Sequence, residues 1–129
     1  MIDLVWDGDL RFTGTAGDLH VVVDSDAKAG PSPMQYLAFA LAGCMAVDVV
    51  HILKKGRHDL RGLRGTLTGT RAETEPRRFT SIDLRFVIRG PVPAAQAERA
   101  VALSRDKYCS VWHSLRQDID FTVTVALEP

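Results

Sequence analysis

The stretch GPSPMQYLAFALAGCMAVDVVHILKKG, Gly30 to Gly56, decides how this chain folds. Ser32 is a good N-cap, and Pro33 suits the first helical position, where a missing N–H leaves nothing unpaired. Gln35, three residues after Ser32, completes a capping box. At the other end Lys54 and Lys55 offset the helix dipole, and Gly56 stands where a C′ stop is expected. A helix from Pro33 to Lys55 would run about 34 Å at 1.5 Å per residue. Leu37, Phe39, Leu41, Met45, Val47, Val49, Val50, Ile52 and Leu53 make it apolar on nearly every face, which predicts a helix buried all round. Ala38, Ala40, Ala42, Gly43 and Ala46 keep part of it thin, which suits the close approach of another backbone. A chain of this size has trouble covering such a helix alone. A sheet on one side and a symmetric copy on the other are expected, hence a homodimer with extensive shared surface.

The flanking sequence reads as strands. Asp7-Gly8-Asp9 and Ala16-Gly17-Asp18 are turn signals, and LHVVVD, Leu19 to Asp24, is a β-branched run between breaks. Downstream, LRGTLTGTRAET and FTSIDLRFVIRG alternate with period two around the polar Glu75-Pro76-Arg77-Arg78, which predicts a hairpin of two long strands. In the second of these, Ile82, Leu84, Phe86 and Ile88 fall on one face and Asp83, Arg85, Val87 and Arg89 on the other. Pro91-Val92-Pro93 introduces a second helix over about Ala94 to Lys107, with Ala97, Ala100, Val101 and Ser104 on one stripe and Leu103 beside it. A short turn or helix around Ser110 to Leu115 and a final strand, IDFTVTVAL, complete the chain. The order ββ–α–ββ–α–β predicts an α+β fold. One domain, residues 1–129, is expected.

Composition excludes several classes. Sixteen acidic side chains balance sixteen basic ones among 129 residues, so no overall field draws in nucleic acid or anionic lipid. The basic cluster Lys54-Lys55-Gly56-Arg57-His58 reads as a helix C-terminus. The longest apolar run, Tyr36 to Val47, suits a core helix better than a membrane span. The start, MIDLVWDGDL, has neither a charged n-region nor an apolar h-region, so a cytoplasmic protein is expected.

The chemistry centres on two cysteines, Cys44 and Cys109, sixty-five residues apart. Their spacing suits neither a CxxC redox motif nor a zinc ribbon. Should they meet in space, they would form a dithiol able to close to a disulfide. Cys44 lies three turns inside its helix, beyond the reach of the N-terminal dipole, and reads by itself as a small core residue. Asp48, one turn on, is unusual in so apolar a helix, and a structural ion pair or backbone contact is its expected role. His51 follows one turn later. Cys109 has polar neighbours in Arg105, Asp106, Lys107, Tyr108, Ser110 and His113. Cations and a helix start nearby would lower its pKa, and His113 at i+4 could act as its base. A metal held by Cys44, Cys109 and one of His20, His51, His58 or His113 is less favoured, since zinc ligands usually come in close pairs. No cofactor is implied.

Gly30-Pro31-Ser32-Pro33-Met34, Leu37, Ala42-Gly43-Cys44, Asp48-Val49-Val50, Ile52-Leu53-Lys54-Lys55 and Lys107-Tyr108-Cys109-Ser110-Val111 together resemble the OsmC/Ohr family, over nearly the whole chain. The resemblance implies an intertwined α+β homodimer, with a long buried central helix packed between antiparallel β-sheets and two sites at the subunit interface. It implies a thiol peroxidase acting on organic hydroperoxides in oxidative stress defence, with Cys44 as peroxidatic and Cys109 as resolving cysteine. It also implies a dithiol reductant of lipoyl type. The family's peroxidases hold the thiolate with an N-terminal arginine, for which Arg11 is the candidate here, and with a glutamate ten residues before the first cysteine. This chain has Met34 at that glutamate position, with Gln35 beside it. Two alternatives therefore stand next to the peroxidase. One is a non-enzymatic protein binding a small apolar ligand in a pocket near Met34, Gln35, Tyr36 and Asp48. The other is a redox-sensing stress protein of the same fold.

Overall fold

The computed structural model describes all 129 residues. The elements are β1 (Ile2–Gly8), β2 (Arg11–Ala16), β3 (Leu19–Asp24), α1 (Pro33–Lys55), β4 (Gly62–Arg71), β5 (Phe79–Arg89), α2 (Ala94–Leu103), a single π-helical turn (Ser104–Tyr108), α3 (Ser110–His113) and β6 (Asp120–Glu128). The α+β class predicted from the sequence is the observed one. The two turn signals near the start separate three strands, one more than the expected order. By its internal contacts the chain forms two compact units, residues 1–39 and 40–129, divided within α1.

Unit 1 is the antiparallel sheet β1-β2-β3 together with the first turns of α1. Pairing aligns Ile2 with Ala16 and Leu19, Leu4 with Gly14 and Val21, and Trp6 with Phe12 and Val23. Because side chains alternate along a strand, these rows give one sheet face made only of apolar residues and Gly14. Within the chain that face is largely bare, with Leu4 60%, Trp6 66% and Leu19 73% exposed. The chain leaves β3 through a loop organised by Asp24, which is only 3% exposed. Its carboxylate accepts backbone N–H groups from Asp26 at 2.9 Å, Lys28 at 3.3 Å and Ala29 at 2.9 Å. The capping box at the start of α1 forms as expected. Gln35 N–H donates to Ser32 Oγ at 3.2 Å, and Ser32 N–H donates to Gln35 Oε1 at 2.9 Å.

Unit 2 holds the second sheet, ordered β4-β5-β6. β4 and β5 form the predicted hairpin, and Ile82, Leu84, Phe86 and Ile88 are buried as expected. β6 pairs with β5 in parallel, from Ser81 with Asp120 to Arg89 with Glu128, so this sheet is mixed and not antiparallel. The reason lies in the connection: α2, the π turn and α3 carry the chain back across the sheet, and such a crossover delivers a parallel strand. α2 packs on β6 through Ala97, Ala100 and Val101, the stripe read from the sequence.

α1 has the predicted bounds, Pro33–Lys55. Within one chain it is buried along one stripe, Leu41, Met45, Val49 and Leu53, while Phe39 and Val47 stay exposed, as expected of a helix that one chain cannot cover alone. The expected C′ stop is corrected: the left-handed residue is Arg57, at φ 63°, one position after Gly56. His58 N–H reaches Leu53 O at 3.0 Å and Arg57 N–H reaches Lys54 O at 2.9 Å, the paired bonds of a Schellman ending. By length and composition α1 is also apolar enough to cross a membrane. Here it contributes a buried stripe to a protein core.

Candidate functional site

Cys44 and Cys109, far apart in sequence, meet in unit 2. The Cys44 and Cys109 thiols lie close enough for Cys44 to act on the acidity of Cys109, and both are free. Cys44 is half-buried and Cys109 fully buried. Helical periodicity produces this arrangement. Cys44 follows the buried Leu41 and precedes the buried Met45 on α1, so it lies at the edge of the stripe. Cys109 ends the π turn with an extended backbone, φ −70° and ψ 100°, and becomes the N-cap of α3. Its Sγ accepts the N–H of Trp112 at 3.3 Å. Trp112 in turn lies against Phe121, with ring centroids 4.5 Å apart.

The expected activation of Cys109 is corrected. Burial pushes its thiol up from 9.0 to about 11. The hydrogen bond from Trp112 N–H opposes that rise, and the hydrogen bond and charge of Cys44 add to it. The cations predicted to lower it face elsewhere. Arg105 lies over the rings of Phe121 at 5.0 Å and Trp112 at 6.0 Å, and Lys107 lies over Tyr108 at 5.2 Å. His113 is exposed, and its hydrogen bond to Cys109 is from its backbone N–H to the carbonyl, so no thiol–imidazole pair forms.

Asp48 makes neither an ion pair nor a backbone contact. Its Oδ2 accepts the hydroxyl hydrogen of Ser104 at 2.7 Å. The ion pairs of the chain are elsewhere, Arg61–Asp59, Arg85–Asp83 and Arg116–Asp118. Beside Asp48 a groove of about 530 Å³ opens between the second half of α1 and the α2–π segment, bordered by His51, Lys55, Arg99, Leu103 and Tyr108. No three His, Cys, Asp or Glu side chains come together as a metal site would need.

The remaining candidates lie in unit 1. Arg11 pairs across the ladder with Asp24, and its charge helps hold the Asp24 carboxyl below the usual carboxylate range, after the larger effect of the Ala29 N–H. Met34 is half-buried in the first turn of α1. Gln35 is spent on the capping box, and Tyr36 Oη donates to Val22 O at 2.6 Å. Ser104 was legible only as a member of the α2 stripe. The apolar face of the first sheet was legible as the alternation Ile2-Leu4-Trp6 and Leu19-Val21-Val23.

This fold has relatives. A family model described as OsmC-like protein matches residues 24–124, and the chain belongs to that family. The protein YhfA of Escherichia coli (strain K12) is 40% identical over 121 residues, covering 91% of this chain and 90% of that protein. Among solved structures, a hypothetical protein from Aquifex aeolicus VF5 superposes with a TM-score of 0.92 at 27% identity, covering 99% of this chain and 95% of that one. An organic hydroperoxide resistance protein, OsmC, from Legionella pneumophila superposes with a TM-score of 0.73 at 18% identity, covering 98% of this chain and 95% of that one.

Proposed function

We propose that the protein is a cytoplasmic thiol peroxidase that reduces organic hydroperoxides through a dithiol–disulfide cycle of Cys44 and Cys109, working as a homodimer. The observation that carries this reading is the proximity of the two thiols in a chain with no other cysteine. The name of the Legionella relative, an organic hydroperoxide resistance protein, agrees with it. The bare apolar face of the first sheet supports the dimer, since a patch of that kind on a folded chain is normally covered by a partner.

The difference in burial supports a division of roles. The half-buried Cys44 is the sulfur a peroxide can reach. As thiolate it attacks one peroxide oxygen, the O–O bond breaks, the alcohol leaves, and Cys44 becomes a sulfenic acid. The buried Cys109 then attacks the Cys44 sulfur and water departs, leaving the disulfide. The hydroperoxide has taken two electrons from the pair, and an external dithiol of lipoyl type returns them by exchange.

The test is one equivalent of cumene hydroperoxide added to the reduced protein, with the intact mass read within seconds. Loss of two hydrogens and a Cys44–Cys109 cross-link in the peptide map are expected, with no turnover in Cys44→Ser. An unchanged mass, or full turnover in Cys44→Ser, overturns the proposal. One observation favours a second reading as a binder of small apolar ligands: Met34 brings no charge, while Gln35 and Tyr36 already have partners. Ligand binding that survives loss of both cysteines, without turnover, is its signature.

A further inference from the structure

We infer that the Asp48–Ser104 hydrogen bond is a clamp that holds Cys109 in disulfide register with Cys44; the inference rests on the dithiol reading above. On α1, Cys44 and Asp48 are four residues apart. They therefore share a face, about 6 Å apart along the axis. The opposing segment presents a partner to each. Ser104 Oγ donates to Asp48 Oδ2 at 2.7 Å, and Cys109 lies against Cys44. The two contacts form a pair of rungs between α1 and the segment after α2.

Ser104 and Cys109, however, are five residues apart. In a regular α-helix five residues turn the chain through roughly 500°, which would leave Cys109 about 140° away from the face that Ser104 occupies. The π turn narrows this mismatch. The Cys109 N–H donates to Ser104 O at 2.8 Å, so the hydrogen bond spans five residues in place of four and each residue turns the chain through a smaller angle. Isolated π turns often mark working sites for this kind of reason. Ser104 thus acts at both ends. Its carbonyl fixes the backbone of Cys109, and its fully buried hydroxyl fixes the turn to α1. No other side-chain hydrogen bond joins residues 40–55 to residues 104–109. A bond to a carboxylate is also among the stronger contacts a neutral donor can make.

Neither Asp48 nor Ser104 touches the Cys44 sulfur in this scheme, so both are positioning residues. Their effect is on the effective concentration of one thiol towards the other. A glutathione redox buffer measures that quantity. Oxidised glutathione takes two electrons from the pair, the two thiol protons pass to the glutathione sulfurs, and one Cys44–Cys109 bond and two glutathione thiols result. The measurement needs no hydroperoxide, so it stands even where the peroxidase reading fails.

Ser104→Ala and Asp48→Ala are each expected to lower the equilibrium constant for disulfide formation at least about fivefold. Asp48→Asn, whose amide oxygen still accepts from Ser104, is expected to stay within about twofold of the parent. In Ser104→Ala the alkylation rate of Cys44 should also stay within about twofold. A merely structural serine would lower the melting temperature and leave the thiol equilibrium in place. An equilibrium constant unchanged in Ser104→Ala, or Asp48→Asn falling as far as Asp48→Ala, overturns the inference. Should Ser104→Ala fail to fold, the two Asp48 variants decide by themselves.

Discussion

The sulfur of Cys109 caps the helix that begins beside it, accepting the N–H of Trp112 at 3.3 Å. The residue paired with Cys44 is thus also a structural element of α3. Serine can keep such a cap and alanine cannot. Cys109→Ser is expected to stay close to the parent in urea unfolding, and Cys109→Ala to be less stable than Cys109→Ser by about 1 kcal/mol. Equal stability of the two variants would show that the cap contributes nothing. Cys109→Ser is accordingly the variant for separating chemistry from folding.

Alkaline pH should weaken the protein through the same residue. Burial raises the Cys109 pKa from 9.0 to about 11 in the folded chain. The unfolded chain therefore loses this proton first, and folding stability falls as pH rises between those two values. Well below pH 9.0 the thiol is protonated in both states and contributes no slope. Melting temperatures across this range should decline more steeply in the parent than in Cys109→Ser. Parallel profiles would contradict the burial argument.

Acid should act through the first unit. The Asp24 carboxyl is held below the usual carboxylate range, chiefly by the N–H of Ala29, with help from Asp26, Lys28 and Arg11 against the cost of burial. Its stabilising effect is present above the unfolded value of 3.8 and is lost as pH falls through the lower folded value. Asp24→Asn should be less stable at neutral pH and lose less on acidification, so the two unfolding curves converge below about pH 4. A constant gap between them would mean that Asp24 acts without its charge.

Self-association should depend on the apolar face of the first sheet. Leu4 stands in that face and Asp3 in the opposite one, by strand alternation. Leu4→Glu is expected to shift sedimentation from dimer towards monomer at micromolar protein, while Asp3→Lys leaves it unchanged. Dimers that withstand Leu4→Glu would place the shared surface elsewhere.

Truncating Met45 tests the core side of α1. This residue is fully buried in the stripe Leu41-Met45-Val49-Leu53. Met45→Ala should cost about 2–5 kcal/mol of unfolding free energy in urea, as buried truncations do. A loss under about 0.5 kcal/mol would mean that the stripe is loosely packed.

Local chemistry determines what is legible in the amino-acid sequence alone. Ser32, Pro33 and Gln35 set the start of α1 because a capping box is satisfied within four residues. The alternation of Ile82, Leu84, Phe86 and Ile88 names the buried face of β5 because a strand's side chains repeat every two residues. The family is legible from the motifs around Cys44 and Cys109. Other features depend on what lies across the chain. Nothing near β6 in sequence says that it runs parallel to β5; its direction follows from the path of the crossover. The polar letters around Cys109 suggest an activated thiol, yet the fold turns Arg105, Lys107 and His113 away and buries the sulfur. The partnership of Asp48 with Ser104 joins residues fifty-six apart. The π turn over Ser104–Tyr108 has no signal in SRDKY. Short-range hydrogen bonding and periodicity are written along the chain, whereas burial, thiol acidity and the meeting of the two cysteines arise only when distant segments exclude water together.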